Sequence, residues 1–314
     1  MPTASENHAL AVGAPEGAVV APAVAGQMTR AQVEKIIEPM IQESLRRFGD
    51  FTPKGISAQQ FASHNNGTLR PDVRRVSLLI SVAQSVLGPG ACGEGLEVGA
   101  GYGYLLFPMA RFFPGIHWTG VDHPSRSYVD QPEYLSAFQE YNCGFARLDL
   151  LRERLPFPDA HFQAVTFSEV LEHLPLERVN FVLSEIARVL RPGGVLLASS
   201  PNQASLENRL RLLRGKSILE LPDETSYAKG VFGHIRLYTP AEMEVVMSRL
   251  GFSLEKSVLE SNNSGYRGTS PASWHRRIHR FYEFIEAKLG FLRVLADSWF
   301  IAFRKESPTT QGEP

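Results

Sequence analysis

Glu169, Glu172 and His173 stand within five residues, in the stretch Ala164 to Pro175 (AVTFSEVLEHLP), where an apolar β-type run gives way to a turn. Separations of three and four residues bring side chains to one side of a helical turn. Carboxylate oxygens beside an imidazole suit Mg²⁺, Mn²⁺ or a similar cation. The same residues suit proton transfer, because an imidazole titrates near neutrality (~6.5) and His173 is the residue type best matched to a general base. Against both stands a bland reading, in which His173 caps or packs the turn after a strand.

A second constellation lies upstream. Residues 95 to 103 read GLEVGAGYG, an apolar run that ends in a glycine-rich turn with the acidic Glu97 inside it. Gly99, Gly101 and Gly103 remove the Cβ atoms that would keep a ligand from the backbone, and the turn is expected to open a helix whose N-terminal amides favour negative groups. About twenty residues on, IHWTGVD ends at Asp122, a carboxylate placed to hold two ribose hydroxyls. Together these point to a nucleoside cofactor. A nicotinamide dinucleotide fold would share the acid, but its G-x-G-x-x-G turn needs glycine at position 104, where Tyr104 stands, and no G-x-x-x-x-G-K-[ST] phosphate loop occurs.

The elements that must position these residues follow from periodicity. Helical spacing runs from Pro71 to Leu87 with a Gly88 stop, and strands then alternate with helices to residue 200, which implies a mostly parallel sheet covered on both faces. Open α/β sheets bind ligands beyond the carboxyl ends of their strands, where Asp122, Asp149 and Glu169 all fall. Upstream, residues 1–28 are rich in Ala, Val, Pro and Gly and read as a disordered tail. Residues 29–70 give a helix, with Val33, Ile36, Ile37, Met40, Ile41, Leu45 and Phe48 at helical spacing, then a polar loop from which His64 and Asn65 could reach the site. Residues 203–233 break the rhythm with a short basic helix and a loop, as a lid would. Thr239-Pro240-Ala241-Glu242 matches a capping box, and GFSLEKSVLE and DSWFIAFRK are the last two strands. Between those strands, 262–296 is a helical insertion in which Trp274, Ile278, Phe281, Ile285 and Leu289 share a face, with Arg276, Arg277, Arg280 and Lys288 largely elsewhere. Such a helix packs on its domain, or else meets a membrane surface or an anionic substrate through 274–289. Residues 306–314 read as a second tail.

Four segments, GLEVGAGYG, GVDHP at 120 to 124, ARLDL at 146 to 150, and AVTFSEVLEHLP with RVLRPGGVLLASSPN, resemble the class I S-adenosylmethionine-dependent methyltransferases over residues 71–305. The resemblance implies a Rossmann-like α/β fold with a seven-stranded, mostly parallel sheet, helices on both faces and S-adenosylmethionine as cofactor. It places Gly99, Gly101 and Gly103 against the methionine part, Glu97 near its amino acid end, Asp122 on the ribose, Asp149 at the adenine amine with the Leu150 backbone nearby, and Glu169 in the same pocket. The segment from Glu169 to His173 further resembles the metal-binding E-x-x-E-H of ubiquinone-pathway O-methyltransferases and of small-RNA 2′-O-methyltransferases. In the RNA enzymes a later loop adds a histidine, which His234 would match. The stretch from His234 to Thr239 also resembles a structural segment of glycan and small-molecule methyltransferases.

Bulk properties set limits on the acceptor. A net charge of −1 gives no global pull toward nucleic acid, although residues 204 to 305 carry sixteen Lys and Arg against eleven Asp and Glu, so the acceptor half is mildly basic. Cys92 and Cys143 are too few for a disulfide scaffold or a thiolate metal site and read as buried or half-buried fillers. No apolar run is long enough to span a membrane. The expectation is a cytoplasmic enzyme that methylates oxygen of a small molecule or glycan, with His173, Glu169 and His234 activating the acceptor and Glu169, Glu172, His173 and His234 able to hold Mg²⁺ or Mn²⁺. Two alternatives stand beside it: a metal-dependent RNA 2′-O-methyltransferase, and a catalytically silent protein that keeps the fold for cofactor binding or docking. Oligomeric state is not legible.

Overall fold

A computed structural model of the protein describes residues 27–48, 70–124, 129–219, 233–261 and 290–307. The expectations for the N-terminal tail up to residue 26, for the loop with His64 and Asn65, for the basic amphipathic helix 274–289 and for residues 308–314 lie outside them.

Helices α1 (Arg30–Phe48) and α2 (Arg70–Leu87) precede a single sheet of seven strands. The strands are β1 (Gly93–Val98), β2 (Ile116–Asp122), β3 (Gly144–Arg147), β4 (Phe162–Ser168), β5 (Leu190–Pro201), β6 (Phe252–Glu260) and β7 (Ser298–Lys305), in the spatial order β3-β2-β1-β4-β5-β7-β6. The first five are parallel, and β7 enters antiparallel between β5 and β6. Between them run α3 (Leu106–Phe112), α4 (Pro132–Glu140), α5 (Leu176–Val189), α6 (Leu206–Leu213) and α7 (Pro240–Ser248). The expected α/β architecture is present.

Side chains alternate across a strand, and here that alternation builds two cores. Ala164, Val195, Leu197, Phe300 and Ala302 join the core under α1 to α4, whereas their neighbours Val165, Leu196, Ala198, Trp299, Ile301 and Phe303 join the one under α5 and α7. Apolar residues on both faces are what a sheet covered on both sides demands. The stop at Gly88 appears as a residue at φ +75°, and Cys143 is buried as expected. Cys92, expected to be covered, is instead exposed, because it stands in the turn ahead of β1. Among the described residues no helix is long and apolar enough to cross a membrane.

The parallel strands share one carboxyl edge, so Val98, Asp122, Arg147 and Ser168 end together with the turns that follow them. Leu148 N donates to Asp122 O (2.9 Å), which ties the segment after β3 to the tip of β2. The topology reverses here, β1 being followed on one side by β2 and on the other by β4, and such reversals open crevices.

Candidate active site

The glycine turn follows β1 directly. Gly99 N and Ala100 N both donate to Val121 O (2.9 and 3.0 Å), and Tyr134 Oη donates to Gly101 O (2.7 Å), so the turn is pinned from two sides. All three glycines lie at positive φ, +83° at Gly99, +51° at Gly101 and +74° at Gly103, but their surroundings differ. A Cβ on Gly99 would sit 2.5 Å from Val170 Cγ2, and one on Gly103 would sit 2.2 Å from the Phe107 ring. One on Gly101 would meet nothing closer than Gly99 O at 4.0 Å. The expectation that all three clear room for a ligand is thus corrected: Gly99 and Gly103 serve close internal packing, and Gly101 borders open space.

The helix after the turn also differs from expectation. It has only seven residues and begins at Leu106, whose backbone amide is hydrogen-bonded by the Glu97 carboxylate. That acid occupies the helix start that had been expected to face a negative ligand group. Glu97 is 4% exposed and its Oε2 has no hydrogen-bond partner among the described residues. Burial pushes its pKa well above the ordinary carboxylate range, the Arg75 charge opposes that shift and Asp122 adds to it.

At the tip of β2, Asp122 is held by two backbone amides, Gly101 N on Oδ2 (2.8 Å) and His123 N on Oδ1 (2.7 Å). These bonds fix the orientation of its carboxylate. Asp149, past β3, accepts from Leu151 N on Oδ1 (2.9 Å), and the same oxygen lies 3.6 Å from His123 Nε2. Leu150 packs half-buried on the α5 side of the sheet. The acids expected around a nucleoside therefore do gather at one edge, on either side of His123.

Beyond β4 the chain turns sharply. Glu169 has φ +56°, a strained value for a residue with a Cβ. The turn is held by Glu169 N donating to Ser199 O (3.0 Å) and by Ser199 Oγ donating to Glu169 Oε1 (3.0 Å). Ser168 Oγ lies 2.8 Å from Ser199 Oγ and accepts from Arg75 Nη1 (3.2 Å). Arg75 comes from α2 and was not picked out from the sequence. Burial lowers its pKa, but Glu169 and Asp72 outweigh that and hold it raised, so the guanidinium stays charged.

Glu172 and His173 follow in a 3-10 turn, Leu171–His173. Glu172 is fully buried: Oε2 accepts from Ser200 Oγ (3.1 Å), Oε1 has no hydrogen-bond partner among the described residues, and its carbonyl takes the amides of Ile235 (2.7 Å) and Arg236 (3.3 Å). Burial raises its pKa well above the ordinary range and Glu169 adds to the rise. The 233–238 segment, so docked, brings His234 to within 5.1 Å of His173, ring centre to ring centre. His173 Nδ1 lies 3.2 Å from Gly233 O; a carbonyl only accepts, so Nδ1 carries the proton and Nε2 is the basic nitrogen of the neutral ring. One ligand atom each from Glu172, His173 and His234 lies within 4.8 Å of the others. Glu169, expected among the metal ligands, is not in that group; its carboxylate instead accepts from Ser199 Oγ.

Residues 96–194 match the family model described as a methyltransferase domain. That stretch is a methyltransferase domain of the S-adenosylmethionine-dependent kind. Among curated proteins, this domain is similar to a tRNA N(3)-cytidine methyltransferase of Gallus gallus, 25% identical over 55% of this chain and 46% of that protein. A ubiquinone/menaquinone biosynthesis C-methyltransferase of Desulfotalea psychrophila is 34% identical over 36% of this chain and 44% of its own. A ubiquinone biosynthesis O-methyltransferase of Maricaulis maris is 25% identical over 54% and 62%. The chain thus spans about half the length of the curated relatives it matches. A solved S-adenosylmethionine-dependent methyltransferase from Methanosarcina mazei shares the fold, with TM-score 0.50 and 17% identity over 72% of this chain and 98% of that one.

Proposed function

We propose that the protein transfers the methyl group of S-adenosylmethionine to an oxygen atom of a small molecule or saccharide. The observation that carries this reading is the gathering of Glu97, Asp122 and Asp149 at one sheet edge beside the open backbone of Gly101. In it, Asp122 takes the ribose hydroxyls, Asp149 and the Leu150 backbone meet adenine, and the methionine end lies between Glu97, whose buried Oε2 can accept from an ammonium, and Arg75, whose guanidinium can take a carboxylate. The bound cofactor supplies an electrophilic methyl on a sulfonium, and its transfer is an in-line displacement governed by positioning and exclusion of water. An alcohol or phenol acceptor must lose its proton, and His173 Nε2 is the base assigned to receive it.

Glu172, His173 and His234 also fit a divalent cation such as Mg²⁺ or Mn²⁺, with the buried Oε1 of Glu172, unpartnered among the described residues, as the strongest sign. With a cation there, His173 Nε2 would be a ligand rather than the base, and the cation would lower the pKa of the acceptor oxygen so that its proton could pass to water. The chain would hold it with those three side chains and orient His173 through Gly233 O. Likeness to the tRNA methyltransferase supports a second reading, methylation of RNA, and the mildly basic 204 to 305 region agrees with it.

Incubation of the protein with methyl-labelled S-adenosylmethionine and an extract of the cells that make it, followed by separation of small molecules from RNA, tests these readings. Label in the small-molecule fraction is expected. Label confined to RNA would replace the first reading with the second, and absence of any labelled product together with tight cofactor binding would mark a silent binding protein. Chelator should abolish turnover if the three-residue cluster works with a metal, and unchanged turnover would remove the cation from the account.

A further inference from the structure

The geometry points to Glu260, at the end of β6 and far along the chain from the glycine turn, as the residue that positions Arg75 for the cofactor. This inference rests on the reading of Arg75 given above. Helix α2 packs across β5, β7 and β6, and its first turns meet the carboxyl edge of the sheet through Arg74 and Arg75. Strand β6 runs antiparallel to β7, which is itself antiparallel to β5, so Glu260 lies at the same edge as Ser168. Arg74 and Arg75 are neighbours on α2 and project about 100° apart around its axis. Arg74 reaches Glu260 Oε1 through both Nε (2.8 Å) and Nη2 (2.5 Å), while Arg75 reaches Ser168 Oγ on β4. Holding Arg74 on β6 therefore fixes the rotation of α2, and with it the direction in which Arg75 leaves the helix.

The same Glu260 oxygen accepts from Arg30 Nη1 of α1 (2.6 Å). Arg30 Nε in turn contacts Glu34 (3.0 Å) and Ser77 Oγ (3.2 Å), and Ser77 Oγ donates to Glu34 Oε1 (3.1 Å). One carboxylate thus joins three elements. Its side chain is 21% exposed, and those of Arg30 and Arg74 are 29% and 33% exposed, so the junction is shielded well beyond an ordinary surface pair. Among the described residues the Glu260 carboxylate accepts from Arg30 and Arg74, and neither of these is assigned to hold the cofactor.

The test is calorimetric binding of S-adenosylhomocysteine to the full-length protein, with Glu260→Gln and Arg75→Ala made singly and together. Glu260→Gln should weaken binding about 3- to 30-fold, the range expected for residues that act through a packed network. In the Arg75→Ala background the same change should alter Kd less than twofold. Arg74→Gln, which leaves the Arg30–Glu260 pair intact, provides the same test if Glu260→Gln folds poorly, and should show the same dependence on Arg75. As a control, Glu43→Gln removes the α1 pairs with Arg46 and Arg47 without touching α2 and should leave Kd within twofold. Equal losses in both backgrounds would mean general loosening and overturn the proposal, as would an unchanged Kd in Glu260→Gln beside a weakened Arg75→Ala. An unchanged Kd in Arg75→Ala would overturn the assignment of Arg75 itself and this proposal with it.

Discussion

Gly99 and Gly101 are two residues apart, yet a methyl group added to each has a different fate. Gly99→Ala would drive Cβ into Val170 at positive φ, and is expected to cost about 2 to 4 kcal/mol in a urea unfolding series. Gly101→Ala carries only the φ strain, about 1 kcal/mol, and is expected to weaken S-adenosylhomocysteine binding about tenfold or more, because its Cβ would stand in the space given to the ligand. Calorimetry and unfolding on the two variants should give opposite rankings. The sequence could show that glycines were needed here but not why each one was, since Val170 and Phe107 meet the turn only after folding. Arg75 was legible in principle: it stands three and four residues before the buried Leu78 and Leu79, on the apolar side of its helix, where an arginine needs a reason.

Among the elements, α7 was the most fully legible. Thr239 Oγ1 accepts from Glu242 N (3.2 Å), and Glu242 Oε2 accepts from Thr239 N (2.8 Å), the reciprocal pair implied by the T-P-A-E spacing. Thr239→Ala should lower stability by about 1 kcal/mol in urea unfolding. The cap also serves the site, because the Ile235 and Arg236 amides just upstream dock on Glu172 O and so hold His234 beside His173. The strand periodicity of β6 and β7 could be read from their residues, but the insertion of β7 between β5 and β6 could not. That order depends on which apolar faces meet, and both candidate neighbours carry apolar residues. The Glu260 junction was hidden for the same reason: its partners stand 186 and 230 residues away.

For the molecule as a whole, two sets of carboxylates pull stability in opposite directions with pH. Hydrogen bonds from Arg188 hold Glu185 at a pKa of about 2, with Arg154 adding to the effect against a smaller upward push from burial. Because that value lies below the ordinary one, its stabilisation is complete above about pH 4.5 and is lost as pH falls toward 2. Thermal melts of Glu185→Gln and the unmodified protein should therefore differ most above pH 4.5 and converge near pH 2; a gap independent of pH would contradict the assignment. Glu97 and Glu172 behave in the reverse sense. Burial raises both, so their contribution is full below the ordinary carboxylate range and declines as pH rises through their elevated values. Both acids border the proposed cofactor and acceptor site, and the cofactor assignment is the central claim. Calorimetric titration of S-adenosylhomocysteine into the unmodified protein and into Asp122→Ala tests it most directly. The account predicts one-to-one binding that weakens about 10- to 100-fold when the Asp122 carboxylate is removed. Absence of binding, preference for NAD, or an affinity indifferent to Asp122 would contradict it.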